Sequence, residues 1–151
     1  MTSRRAPTDR QAQDAFVTLL RAADAARAVL DATVAPHGIT AQQYNVLRIL
    51  RGAEPEGLPT LGIAGRMIER APGITRIIDR LEARGLVRRE RRDGDRRCVH
   101  CRITGSGLEI LGRLDQPVRQ ANRRALAPLN NPDLSTITEL LARVANRSPR
   151  L

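Results

Sequence analysis

Residues 66–111 read RMIERAPGITRIIDRLEARGLVRRERRDGDRRCVHCRITGSGLEIL, and three structural patterns follow one another there. Ile74, Ile77, Ile78 and Leu81 recur at helical spacing and share one face of a wheel. Pro72, Arg76, Asp79 and Ala83 lie opposite, with Thr75 and Arg80 on the flanks. Gly85 is the natural residue to end that helix, because it enters left-handed backbone without a steric penalty. A strand-like run from Leu86 to Glu90, a basic turn on Asp93-Gly94-Asp95 and a second run from Cys98 to Ile103 then predict a β-hairpin. A helix with an apolar back and an arginine-bearing front thus runs straight into a hairpin crowded with arginine.

Upstream, Leu61, Ala64, Met67 and Ile68 form another short helical pattern, joined to the first by Glu69-Arg70-Ala71. Pro72 fits an early helical position, where its missing N–H costs nothing. Gly52 to Pro59 reads as a loop. Before it, Thr40 and Gln43 have the spacing of a capping box and open a helix with Tyr44, Val46, Leu47 and Leu50. Residues from about 8 to 35 form a further helix on Phe16, Leu19, Leu20, Ala23, Ala26, Leu30 and Val34, and Pro36-His37-Gly38 breaks it. Downstream, a long helix from Thr104 has the stripe Leu108, Leu111, Leu114, Val118, Ala121, Ala125 and Leu129, with Pro117 predicting a kink. Asn131-Pro132 starts a last helix with Leu134, Ile137, Leu140, Leu141 and Val144. The predicted fold class is mainly α with a small β-hairpin.

Composition narrows the function classes. Of the 151 residues only Phe16 and Tyr44 are aromatic, so a surface that stacks unpaired bases on rings has almost nothing to build with. The net charge is +10 and all 26 basic residues are arginine, a balance that draws the chain to nucleic acid or to an anionic surface. Arginine offers a rigid fork for guanine edges and phosphates, although genomic base composition also produces an all-arginine chain. No run of apolar residues approaches the ~18 of a membrane span, and the charged start lacks the apolar core of a secretory signal, so the expected location is the cytoplasm and no membrane partner is expected. Two cysteines are no disulfide framework. There is no glycine-rich phosphate loop, nucleophile elbow or metal-ligand cluster, which argues against an enzyme and against any cofactor.

The order of elements and the string at 66–111 resemble the MarR family of bacterial regulators, with the similarity strongest around DRLEARGLV (79–87) and DRR (95–97). The resemblance implies a winged helix-turn-helix domain at 36–104, an N-terminal arm and dimerisation helix at 1–35, and C-terminal dimerisation helices at 105–151. It implies a homodimer that binds double-stranded DNA, regulates transcription and is more often a repressor than an activator. On that basis the second helix of the motif enters the major groove with Arg70, Pro72, Gly73, Thr75, Arg76 and Arg80 as its DNA-binding residues. The wing contributes Arg91, Arg92, Asp95, Arg96 and Arg97, with Asp95 orienting basic groups and Arg97 entering the minor groove. Arg70 stands where the family often has a helix-capping Ser or Asp, and Arg92 where an acid is frequent.

Many members of that family bind small aromatic or anionic effectors between the dimer helices and the winged domain. His37, Tyr44, Leu47 and Arg48 are the residues of this chain placed to line such a cleft. Cys98, His100 and Cys101 invite a metal or redox reading, but strand alternation points Cys98 and His100 one way and Cys101 the other. The alternatives to a sequence-specific regulator are an architectural module that uses the fold without sequence preference, and a thiol-based redox regulator acting through Cys98.

Overall fold

The computed structural model describes residues 7–92 and 94–146, with side chains for all of them except Arg92, Asp95, Arg96 and Arg97. The elements run α1 (Asp9–Val34), a 3₁₀ turn (Ala35–His37), α2 (Ala41–Gly52), α3 (Thr60–Ala64), α4 (Ile74–Ala83), β1 (Val87–Arg92), β2 (Asp95–Ile103), α5 (Gly105–Ala125) and α6 (Asn131–Ala145). β1 and β2 form one antiparallel pair, from Val87 opposite Ile103 to Arg92 opposite Asp95, with an irregularity between Arg91 and Arg92.

Local chemistry sets the helix ends. The capping box at α2 forms as its spacing predicts: Gln43 N–H donates to Thr40 Oγ1 at 3.1 Å, and Thr40 N–H donates to Gln43 Oε1 at 3.0 Å. The same reciprocal pair, Thr8 with Gln11, opens α1, and Asn130 with Asp133 opens α6. Gly85 (φ +68°) closes α4 in a Schellman motif, where Leu86 N–H reaches Leu81 O at 2.9 Å and Gly85 N–H reaches Glu82 O at 2.8 Å. Leu81 and Leu86 are both buried beside it.

α2 is the hub of the core. It packs against α1, α3, α4, α5 and β2, and its Val46, Leu47 and Leu50 are fully buried. Ile63 of α3, Ile78 and Leu81 of α4, Val87 and Cys101 of the hairpin, and Leu111 and Leu114 of α5 close around it. A bidentate pair between Arg51 and Asp115, with N–O distances of 3.0–3.1 Å, fastens α2 to α5.

Several sequence expectations shift. α3 ends at Ala64, so Met67 and Ile68 lie in the irregular link to α4 rather than on a helix. Pro72 lies outside α4, whose N-cap is Gly73. Gly52–Pro59 is not entirely loop, because Leu58 and Cys101 exchange two backbone hydrogen bonds (3.0 and 2.8 Å) and add a one-residue bridge to the hairpin. α5 continues through Pro117 but stops at Ala125, leaving Leu129 beyond it. Its buried face is Gly107, Leu111, Leu114 and Val118, and Leu108 is exposed.

Gly107 occupies that face because nothing larger fits. A Cβ there would stand 2.4 Å from Leu86 O and 2.6 Å from Ile103 Cγ1, where the hairpin base meets α5. Gly107→Ala is therefore expected to destabilise the fold by about 1–3 kcal/mol, the cost of overpacking exceeding the gain in helix propensity. Gly105→Ala, with nothing within 4 Å of its Cβ, should leave the melting temperature unchanged or raise it. Thermal unfolding of the two variants checks this, and a neutral Gly107→Ala would show that the hairpin base is free to yield.

Candidate nucleic-acid interface

α4 turns its two faces as the periodicity predicts. Ile74, Ile78 and Leu81 are buried, Ile77 is half-buried, and Thr75, Arg76, Asp79 and Arg80 are exposed. The N-terminus of α4 carries no side-chain cap. Its first turn therefore presents backbone N–H groups beside the guanidinium of Arg76, a pairing suited to phosphate. Pro72 and Arg70 are exposed just before this turn and Gly73 is half-buried at its start. Arg70 is not in capping position; Gly73 is.

The hairpin arginines divide into two groups. At the base, Arg88 Nε lies 2.5 Å from Glu90 Oε1, and Arg102 reaches Glu54 Oε2 at 2.6 Å and Glu90 Oε2 at 3.3 Å. Glu90 thus sits between Arg88 and Arg102, which face each other across the strands and would otherwise repel. Arg89 spans from β1 to α4, with Nη2 2.5 Å from Asp79 Oδ1 and Nη1 paired with Glu82 Oε2. Burial works against its charge, and those two carboxylates outweigh it, holding the guanidinium above its ordinary value. Nearer the tip, Arg91 differs among the described side chains. Arg91 is exposed and makes no ion pair among the described residues. The chain turns at Gly94 (φ +96°), and the expected contacts of Arg92, Asp95, Arg96 and Arg97 lie outside the described side chains. Arg88 and Arg89 are thus compensated, by Glu90 and by two acids of α4.

The cysteines separate by depth. Cys101 is fully buried against the core while Cys98 is partly exposed. Burial pushes the Cys101 thiol up, against a hydrogen bond with Thr60 and the charge of Arg89. His100 turns away from the core, its Nδ1 3.0 Å from Glu56 O.

A groove of about 820 Å³ lies between α1, α2, α5 and the link into α4. Its apolar wall includes Leu30, Met67, Ile68 and Val118, and its polar groups include Tyr44, Asn45, Arg48 and the ion pair between Arg27 and Glu69. The Arg48 guanidinium carbon is 5.8 Å from the centroid of the Tyr44 ring. Burial is the main cause that raises the Tyr44 hydroxyl above its ordinary value. Of the four cleft residues expected from sequence, Tyr44 and Arg48 line this groove. Leu47 is fully buried in the core and does not line it. His37 sits on the 3₁₀ turn, half-buried and outside the lining. Sequence reasoning missed Arg27 and Glu69, which stand far apart in the chain and meet only in the fold.

Comparison with known proteins accounts for this arrangement. Residues 39–99, from the end of the first turn to the hairpin, match the model of the MarR family. The homoprotocatechuate degradative operon repressor of Escherichia coli is 30% identical over 125 residues, covering 83% of each chain. The crystal structure of a MarR transcription factor from Planctomyces limnophilus is 40% identical over 92% of this chain and 98% of that one, with a TM-score of 0.68. AbsC, a MarR family regulator from Streptomyces coelicolor, is 28% identical with a TM-score of 0.79, covering 94% of this chain and 96% of its own. With its helical body, its uncapped α4 and its arginine hairpin, the chain belongs to the MarR family of winged-helix transcriptional regulators, which bind DNA and are not enzymes.

Proposed function

We propose that the chain is a homodimeric repressor that binds a palindromic operator and leaves it when a small aromatic or anionic effector occupies the groove. The observation that carries the DNA-binding part is the outward face of α4. Thr75, Arg76 and Arg80 stand exposed beside an uncapped helix start, on the helix that leads directly into the hairpin. In this reading α4 enters the major groove, Arg70, Pro72 and Gly73 approach the backbone, and Arg91, Arg92, Arg96 and Arg97 reach the flanking minor groove with Asp95 orienting them. Residues 36–104 form the DNA-binding unit, which acts in the cytoplasm.

The dimer rests on the terminal helices, 1–35 and 105–151. α6 has no buried residue, and Ile137, Leu140, Leu141 and Val144 are 37–53% exposed. On α1, Phe16 is 62% and Leu20 55% exposed. Two apolar stripes of that kind on one small chain are most simply covered by a second copy. A palindromic operator mirrors the resulting two-fold axis.

The effector rests on the groove. Its apolar wall accepts a ring, and Arg48 over Tyr44 supplies a cation beside a partly desolvated surface. The repressor relative named above acts on a degradative operon for homoprotocatechuate, an aromatic carboxylate, so that compound is the first probe.

Three outcomes test this reading. Operator affinity should fall about a thousandfold or more between 50 and 200 mM salt, as ~6–10 phosphate contacts require, and Arg76→Ala should remove ~1–3 kcal/mol of discrimination between the operator and a base-substituted version. A flat salt response in a binding titration would sink the electrostatic assignment. In sedimentation the native chain should be a dimer at all workable concentrations, and Ile137→Asp combined with Leu141→Asp should lose both dimer and soluble fold. A well-folded native monomer would contradict it. Homoprotocatechuate should release operator DNA, and Arg48→Ala should move the release midpoint about tenfold higher in ligand. Identical midpoints for the two proteins would remove Arg48 from the site.

A further inference from the structure

One hairpin arginine joins the wing to α4. Arg89 is in mid-strand on β1, opposite the fully buried Cys101, and its side chain is only 25% exposed. Both terminal nitrogens of its guanidinium are engaged, one by Asp79 and the other by Glu82. Its own backbone N–H donates to the second oxygen of Glu82 at 3.1 Å. Asp79 and Glu82 are one turn apart on α4, so the two arms of one planar fork hold two points along the helix. Lysine could not do this, having a single point charge.

The position of those acids matters for DNA. Asp79 is 55% exposed and shares the outward side of α4 with Arg76 and Arg80. A bare carboxylate there would repel phosphate. Bound to Arg89 it does not stand bare, and the same contact ties α4 to β1. No other ion pair among the described side chains joins those two elements.

We infer that Arg89 is a positioning residue for DNA recognition: it makes no DNA contact itself, but clamps the wing to α4 through Asp79 and Glu82 so that both elements engage the duplex in one fixed relation. This rests on α4 being the DNA-reading helix. The clamp gives Asp79 a role opposite in sign to its charge. Removing a carboxylate from a DNA-facing helix should tighten binding and steepen its salt dependence if charge alone acts. Under the clamp, the same removal frees the wing and weakens binding.

The experiment uses the full-length protein with Asp79→Asn, Arg89→Lys and the double variant, beside Arg76→Ala. Operator affinity, hydroxyl-radical footprints and melting curves are measured for each. Asp79→Asn, at a half-exposed site, should keep the native melting profile. It should nevertheless bind about tenfold more weakly and lose minor-groove protection at the operator flanks while keeping the major-groove protection from α4. Arg89→Lys should show the same pattern with the net charge unchanged. The double variant should be no worse than the more weakly binding single variant, because Arg89→Lys already breaks the contact that Asp79→Asn removes. Tighter binding by Asp79→Asn with an intact flank footprint would overturn the clamp, as would additive losses in the double variant. If Arg76→Ala were also without effect, the fault would lie in assigning α4 to the DNA and both inferences would fall. If Arg76→Ala weakens binding while Asp79→Asn strengthens it, only the clamp fails.

Discussion

α4 can bury Ile74, Ile78 and Leu81 in only one orientation, and that orientation dictates what the molecule shows to its surroundings. Burying such side chains stabilises by roughly 1.5–3 kcal/mol each, so rotating the helix by a third of a turn would forfeit most of its attachment. The same rotation would carry Thr75, Arg76 and Arg80 inward, where a guanidinium has no partner. The apolar back therefore aims the polar front. The Schellman turn at Gly85 then sends the chain into β1 at a set angle, with Leu86 and Val87 sealing the corner, and Thr104 closes it by donating from Oγ1 to Gly85 O at 2.6 Å. Helix, corner and hairpin form one connected piece, built on α2.

Much of this was legible because it is local. The capping box of α2, the two-faced wheel of α4 and the glycine after it all involve residues within one or two turns, so spacing alone identifies them. The misreadings share the opposite cause. Met67 and Ile68 continue the helical spacing of α3, yet the chain leaves the helix at Gly65 and Met67 packs on the core from the link. Leu58 pairs with Cys101, a partner that no local pattern announces. On α5 the choice between Leu108 and Gly107 for the buried face looked easy by hydrophobicity. It went to the glycine because the backbone of Leu86 comes too close for any side chain.

The charged site divides the same way. The front of α4 could be read from the wheel, and the arginine richness of the hairpin from composition. Which arginines remain available could not, since Arg89 is neutralised by α4 and Arg102 by Glu54, which precedes it by nearly fifty residues. The groove was half legible: Tyr44 and Arg48 stand one turn apart on α2, whereas Arg27 and Glu69 come from separate elements.

The distribution of charge follows from how arginine binds acids. Arg51, Arg89 and Arg102 each reach two acceptor oxygens or two acids, and each joins separate elements: α2 to α5, β1 to α4, and β2 to both β1 and the loop before α3. These contacts pair the acids near the hairpin base, while Arg76, Arg80 and Arg91 stand exposed. A chain built with lysine could carry the same net charge but not the same division, because a point charge satisfies one acid at a time. The pair between Arg27 and Glu69 extends this logic to the groove. Glu69 belongs to the short link that delivers the chain to α4, and its partner belongs to α1, so the link is tied to the helical body on one side and to the uncapped start of α4 on the other.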